Sequence, residues 1–217
     1  MVEPSSRIRV ALAGWEIGRV DSGLGAKAGG LGQVVEELPP ELVKAAHAQG
    51  LDLEVVTLSP CFAHYDRSRL KRLDMALPVH LMGHTFNFEA YEHTFEETVG
   101  FHDGPRKVAF KSVYFWDDWQ LNWTSAHALY PEDPQLALRL YSAVAQAMAG
   151  YIRQQDFQTV HLHDYHVGLI PFFLGDDLLA RLPVHLTIHN ATYQGMTKLI
   201  GGGYDSLNRV GGITWTP

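Results

Sequence analysis

Cysteine is nearly absent from this sequence: Cys61 is the single thiol in 217 residues, so no intramolecular disulfide can form and the fold must be held by its core. No run of Lys or Arg occurs, and a net charge of -7 denies the chain the counterion release that drives nonspecific nucleic-acid binding. A nucleic-acid partner is therefore not expected. No apolar stretch reaches the roughly 18 residues that a membrane-spanning helix requires, because His, Asp or Gly interrupts the longest candidates. Met1 to Ser6 lacks the basic-then-apolar pattern of a secretion signal, and a cytoplasmic location is the expectation that follows. Internal repeats and low-complexity tracts are also missing.

What the chain does have is 46% hydrophobic content, enough to bury one or two ordinary cores. Ile8 to Ala13 is β-branched and aliphatic and stops at Gly14, which predicts a buried strand. A Gly-rich stretch, Asp21 to Gly32, leads into helically spaced apolar residues interrupted by Pro39-Pro40, predicting one kinked helix or two short ones. Leu53 to Leu58 reads as the second strand of a βαβ unit. Between about Pro78 and Tyr114, alternating Phe86, Phe88 and Ala90, then Val108 to Tyr114, predict an antiparallel excursion turning at Asp103-Gly104-Pro105. From Pro134 an amphipathic helix is predicted to about Tyr151, with Leu136, Leu140, Val144, Ala147 and Met148 on one stripe. A strand at Thr159 to His163, a helix from His166 to Ala180 and a strand at Val184 to Ile188 complete an α/β, Rossmann-like, doubly wound and mostly parallel sheet.

Ligands of open parallel sheets bind outside the carboxyl ends of the strands, and three segments fall at such ends. Lys27-Ala28-Gly29-Gly30-Leu31-Gly32 pairs a cation with glycines ahead of a helix, a phosphate or carboxylate site; a glycine turn beside a solvated lysine is the alternative. Gly23-Leu24-Gly25-Ala26-Lys27-Ala28 also fits the dinucleotide fingerprint, although Trp15 to Ser22 separate it from its strand and no acid ends the second strand. His161-Leu162-His163-Asp164-Tyr165-His166 is dense in proton carriers and hydrogen-bonding groups. With His189 it fits either zinc ligation in a hydrolase or the binding of a polyhydroxylated ligand; His161 and His163 alone fit core histidines at a strand end. Thr187-Ile188-His189-Asn190 repeats the placement, and adjacent parallel strands would bring His189 and Asp164 to one crevice.

The three segments, in this order, resemble the motifs of the bacterial glycogen synthases and plant starch synthases: Lys-x-Gly-Gly-Leu at Lys27 to Leu31, His-x-His-Asp-Trp-His-x-Gly at His161 to Gly168, and Thr-x-His-Asn-x-x-Tyr-Gln-Gly at Thr187 to Gly195. The likeness runs from about Ile8 to Met196. It implies the N-terminal half of a GT-B glycosyltransferase over residues 1–200, with 201–217 a divergent or truncated tail. The implied reaction moves glucose, with retention, from a nucleotide-glucose donor to the nonreducing end of an α-glucan or maltooligosaccharide. The resemblance further implies that a C-terminal GT-B domain completes the site, that the chain alone is inactive, and that neither a cofactor nor a metal takes part. Carried over, Lys27 meets the donor phosphates while Gly29 and Gly30 allow close backbone approach. His189 contacts the transferred glucose and stabilises charge at its anomeric carbon, and Asp164 binds sugar hydroxyls. Asn190, Tyr193 and Gln194 shape the pocket, and His166 supports the loop. Gln33 stands where many members have Asp, Tyr165 replaces the usual Trp, and Ala191-Thr192 is an uncommon filling. A glucan-binding module without turnover is the reading from another class, with the aromatic residues from Tyr114 to Trp123 as sugar platforms or, equally, as a buried hairpin cluster. The choice between ADP- and UDP-glucose, the linkage and the oligomeric state are not written in this chain.

Overall fold

A computed structural model describes residues 7–19 and 22–190. Tyr193, Gln194 and the segment 201–217 lie outside the described residues. Strand β1 (Ile8–Gly14) runs beside β2 (Leu53–Pro60), and helix α1 (Gly30–Ala48) connects them. Three further strands, β3 (Lys71–Arg72), β4 (Leu77–Leu81) and β5 (His84–Phe101), precede β6 (Gly104–Trp116). After α2 (Asp118–Leu121) and α3 (Pro134–Arg153) come β7 (Thr159–His163), α4 (Pro171–Leu174), α5 (Asp176–Leu179) and β8 (Val184–Thr187). The sheet order is β3-β5-β6-β2-β1-β7-β8, with β4 on β5. Its parallel part is β6-β2-β1-β7-β8, and β3, β4 and β5 pair antiparallel.

The chain moves one way from β1 through α1 to β2 and the other way from β6 through α3 to β7. Since such crossovers are right-handed, the two helices cover opposite faces, as the doubly wound expectation requires. The direction of winding reverses between β1 and β7, which is where a crevice opens in folds of this kind. Register makes the strand ends level: Gly14 of β1 pairs with His163 of β7, and His163 with Thr187 of β8.

The structure decides one expectation and corrects others. Helix α1 continues through Pro39 and Pro40 as one element, the first of the two alternatives read from the sequence. Each proline removes one ladder hydrogen bond, and the burial of Leu31, Val35 and Pro39 against the sheet holds the helix across that loss. Helix α3 is not amphipathic over most of its length: every residue from Leu140 to Ile152 is buried, while Leu136 is half-buried. A helix apolar all round is an interior helix, and here α3 lies under the sheet with β4 and α4 packed on it. Its one large polar side chain in that stretch, Gln146, is matched to the backbone of β4, accepting from His80 N at 2.9 Å and donating to His80 O at 3.1 Å.

The helix predicted from His166 to Ala180 is broken into a 3-10 turn at Tyr165–Val167 and the two short helices α4 and α5. Pro171 starts the first, and Gly175, at φ 85°, ends it in a conformation that L residues with side chains rarely adopt. The β5-β6 hairpin reverses at His102-Asp103, one residue earlier than predicted, pairing Phe101 with Gly104. No helix among the described residues is long and apolar enough to cross a membrane.

Candidate functional site

The carboxyl edge of the sheet gathers the loops after β1, β7 and β8. After Gly14 the chain passes through Trp15, fully buried against Phe62 and Tyr141, to Glu16, a carboxylate only 2% exposed. Glu16 organises the glycine loop. Its Oε2 accepts from Ala28 N at 2.8 Å and Gly29 N at 3.2 Å, and its Oε1 accepts from the Tyr130 hydroxyl. Gly32 suits this packing, because a Cβ there would lie 3.2 Å from Glu16 Oε2 and from the Ala26 carbonyl, a tight fit that would press on both.

Gly29 and Gly30 differ: a Cβ on either would meet nothing within 4 Å. Packing does not require glycine there, and the space they leave is in front of α1, whose N-terminus has no side-chain cap and no acid in its first turn. Such an end presents unpaired N–H groups and partial positive charge. Lys27 is exposed and donates from Nζ to Gln33 Oε1 at 3.2 Å, and Gln33 Nε2 donates on to Glu37 Oε1 at 2.8 Å. A neutral Gln33 orients the ammonium without cancelling its charge. The competing dinucleotide pattern sits elsewhere: Leu24, Gly25 and Ala26 are buried, and the Leu24 carbonyl accepts from the Tyr114 hydroxyl at 3.0 Å.

At the end of β7, His163 is 1% exposed and shares a 2.9 Å hydrogen bond between its Nδ1 and Nε2 of His189. The rings are near-parallel, 5.2 Å apart. His163 Nε2 has no partner; the proton assignment that leaves an acceptor rather than an N–H orphaned makes His163 Nδ1 the donor to His189. Burial, reinforced by neighbouring His161 and His189, pushes the His163 pKa down to about 3, so it is a neutral ligand of His189 at ordinary pH. His161 Nε2 meets Thr187 Oγ1 at 2.7 Å. His161 is thus a satisfied strand-end residue, whereas His163 keeps one unpartnered ring nitrogen and uses the other to orient His189.

Asp164 follows at φ 68°, a left-handed conformation costly for a residue with a side chain. Its N–H donates to Thr187 O at 2.8 Å, and its Oδ1 accepts from Tyr165 N at 3.1 Å, so the strain turns the chain sharply away from the strand and keeps a carboxylate, 6% exposed, at the edge. His166 is buried among Trp15, Tyr130, Tyr141 and Tyr165, and burial holds its pKa at about 3. His189 and Asn190 are exposed at the end of β8.

Glu16 and Tyr130 therefore join two predicted segments: Glu16 holds the backbone of the glycine loop, and Tyr130, bonded to Glu16, lies 5.0 Å from the His166 ring. Neither was singled out in the sequence. Replacing Glu16 with Ala would orphan two backbone N–H groups and one hydroxyl, so urea unfolding should show a loss of about 3 kcal/mol, with Glu16→Gln losing less. Equal stability of Glu16→Ala and the parent would refute this role.

Three ligating side chains whose atoms lie within 4.8 Å of one another do occur among the described residues, but they are His47, His102 and Asp103, at the C-terminal end of α1 and the β5-β6 hairpin tip. The Arg106 guanidinium occupies that cluster, bonded to Asp103 and to His47 Nε2. The strand-end histidines instead pair with Thr187 and with each other, which favours the hydrogen-bonding reading over zinc ligation.

The profile of the starch synthase catalytic domain matches residues 9–213. The chain is 40% identical over 88 residues to the glycogen synthase of Chlamydia abortus, covering 39% of this chain and 18% of that protein. It is 26% identical over 197 residues to the glycogen synthase of Streptococcus sanguinis, covering 83% and 36%. Among solved structures, the catalytic domain of starch synthase IV from Arabidopsis thaliana, bound to ADP and acarbose, superposes with a TM-score of 0.61 at 21% identity, over 87% of this chain and 35% of that one. The chain thus spans little more than a third, at most, of the length of these relatives.

Proposed function

Because the chain belongs to the starch synthase catalytic domain family, we propose that it is the N-terminal, acceptor-side half of a retaining glucosyltransferase that extends an α-glucan from a nucleotide-glucose. The observation that carries this reading is the level set of strand ends at the switch point, with the uncapped α1 N-terminus and Lys27 beside β1 and with Asp164 and His189 at the ends of β7 and β8. The two halves of that edge suit the two charges of glucosyl transfer. A departing diphosphate is met by N–H groups and an ammonium, and a carbon gaining positive character is met by a carboxylate and an imidazole.

In this reading Lys27 and the open space at Gly29 and Gly30 receive the donor phosphates. Asp164 binds sugar hydroxyls, His189 faces the transferred glucose, and His166 fixes the turn from within its aromatic cage. Asn190, Tyr193 and Gln194 line the same pocket. Residues 1–200 form the domain, and 201–217 lie beyond it. The base and ribose of the donor are left to a second, C-terminal Rossmann-like domain. The relative bound to ADP and acarbose supports a nucleotide and a glucan analogue as the ligand classes, and leaves the donor base of this chain to experiment.

The test is calorimetric titration of the 217-residue chain with maltoheptaose, ADP-glucose and UDP-glucose, followed by a glucosyl-transfer assay with and without the second domain of a family member. Glucan binding, weak nucleotide-sugar binding and transfer only in the two-domain form are expected. Lys27→Ala should weaken whichever donor the two-domain form prefers about tenfold, the loss of one charge-assisted contact. An unchanged affinity would remove Lys27 from the phosphate site.

A further inference from the structure

We propose a second carbohydrate-binding site on this chain, an α-glucan platform built from Trp119 on the outer face of α2 and Trp123 just past its end. It rests on the glucan reading above for the class of its ligand, and on separate residues for its existence. Trp119 is 80% exposed and Trp123 37% exposed, in a protein whose Trp15 and Trp116 are buried. Leaving the largest apolar side chain in water gains nothing for folding. The local structure nonetheless fixes it there.

Asp117 caps α2, its carboxylate accepting from Trp119 N and Gln120 N at 3.1 Å each. Gln120 and Leu121 are buried on the inner face. Thr124 ties the end of the helix down, donating to Leu121 O at 2.6 Å and accepting from Ala63 N at 2.9 Å. Trp123 Nε1 donates to Gln120 O at 2.8 Å, which sets the plane of its indole. With one face anchored, the other must point outward.

That outward face has two rows. Asp118 and Trp119 open the helix, and Asn122, its C-cap, and Trp123, just past its end, lie one turn further on. All four line one open cleft of about 500 Å³. A glucose ring offers a C–H face and a perimeter of hydroxyls. The aromatic row suits the first, and the carboxylate and amide suit the second. The platform lies at the same edge of the sheet as the first site: α2 follows the carboxyl end of β6, and the same connection carries Tyr130, which touches Glu16 and His166. A glucan chain held at α2 is thereby kept on the side of the sheet where its end is extended.

The experiment is retention of the 217-residue chain in native gels containing glycogen, with indole fluorescence titrated by maltoheptaose and with cellohexaose as the β-linked control. Trp119→Ala and Trp123→Ala should each weaken glucan binding about tenfold, as truncation of an aromatic anchor does, with Trp119→Phe intermediate. Phe172→Ala, which removes an exposed ring from α4, should bind as the parent does. Both tryptophans are at the surface, so thermal unfolding should be unchanged. Alanine variants that bind glycogen like the parent overturn the platform and leave the synthase reading intact. A parent that ignores glycogen overturns it as well, and transfer by the two-domain form then decides the synthase reading separately. Loss of self-association rather than of glucan binding in the variants assigns the face to a second copy of the chain.

Discussion

Lowering the pH from 7 to 5 should remove about 4 kcal/mol of unfolding free energy through two side chains alone, His163 and His166. In the unfolded chain each titrates near 6.5; in the folded chain burial holds both near 3. As pH falls through 6.5 the unfolded state takes up two protons that the native state refuses, so unfolding gains at every step down to about pH 3, where the native side chains protonate as well. Above 6.5 neither state is charged and the effect vanishes. Burial is the first cause for both, and His161 and His189 add to it for His163. Urea unfolding at pH 7, 6 and 5 should show the loss. His166→Phe, placed among Trp15, Tyr130, Tyr141 and Tyr165, should cancel about half of it, and His163→Phe the other half. A double variant with the parent's pH dependence would show that neither histidine is the acid-sensitive group.

Those two histidines also show what a sequence can and cannot say. The strands were legible because each is a short run with a clear stop: Ile8 to Gly14 and Leu53 to Pro60 close on Gly and Pro, Thr159 to His163 on His163-Asp164, and all stand almost where the pattern puts them. The antiparallel excursion was legible from its alternation, although β5 and β6 extend further than the alternation does. What failed was local continuity. An apolar run from His166 to Ala180 looks helical, yet Pro171 and the positive φ of Gly175 divide it. Leu136 to Ile152 has a helical stripe, but tertiary packing on both sides buries the opposite face too.

At the site the same division holds. Lys27, Asp164 and His189 stood out because charged and imidazole groups at strand ends have no packing reason to be there. Glu16 and Tyr130 did not, since a buried acid's partners are set by three dimensions: Tyr130 is 114 positions away. The bond from His163 to His189 spans 26 positions, and it becomes visible only once β7 and β8 are known to be neighbours in register.

Replacing His189 with Ala should slow glucosyl transfer about 10²- to 10³-fold, the usual consequence of removing one preorganised group aimed at developing charge. The assay is the two-domain form with a nucleotide-glucose and maltoheptaose at saturation. Loss of His189 leaves the buried Nδ1 of His163 without its partner and should lower thermal stability modestly, while glycogen retention stays nearly unchanged and the deficit in transfer falls on kcat rather than KM. His163 supplies the internal comparison. It acts only through its 2.9 Å bond to His189, so His163→Phe should leave His189 in place but free to turn, with a smaller loss in kcat. In the double variant the two losses should not add, since residues that act through one another couple. Full activity in His189→Ala would remove this residue from the reaction and with it the role assigned to the His163 bond. Additive losses would mean instead that the buried β7 histidine matters for the strand and not for the imidazole it holds.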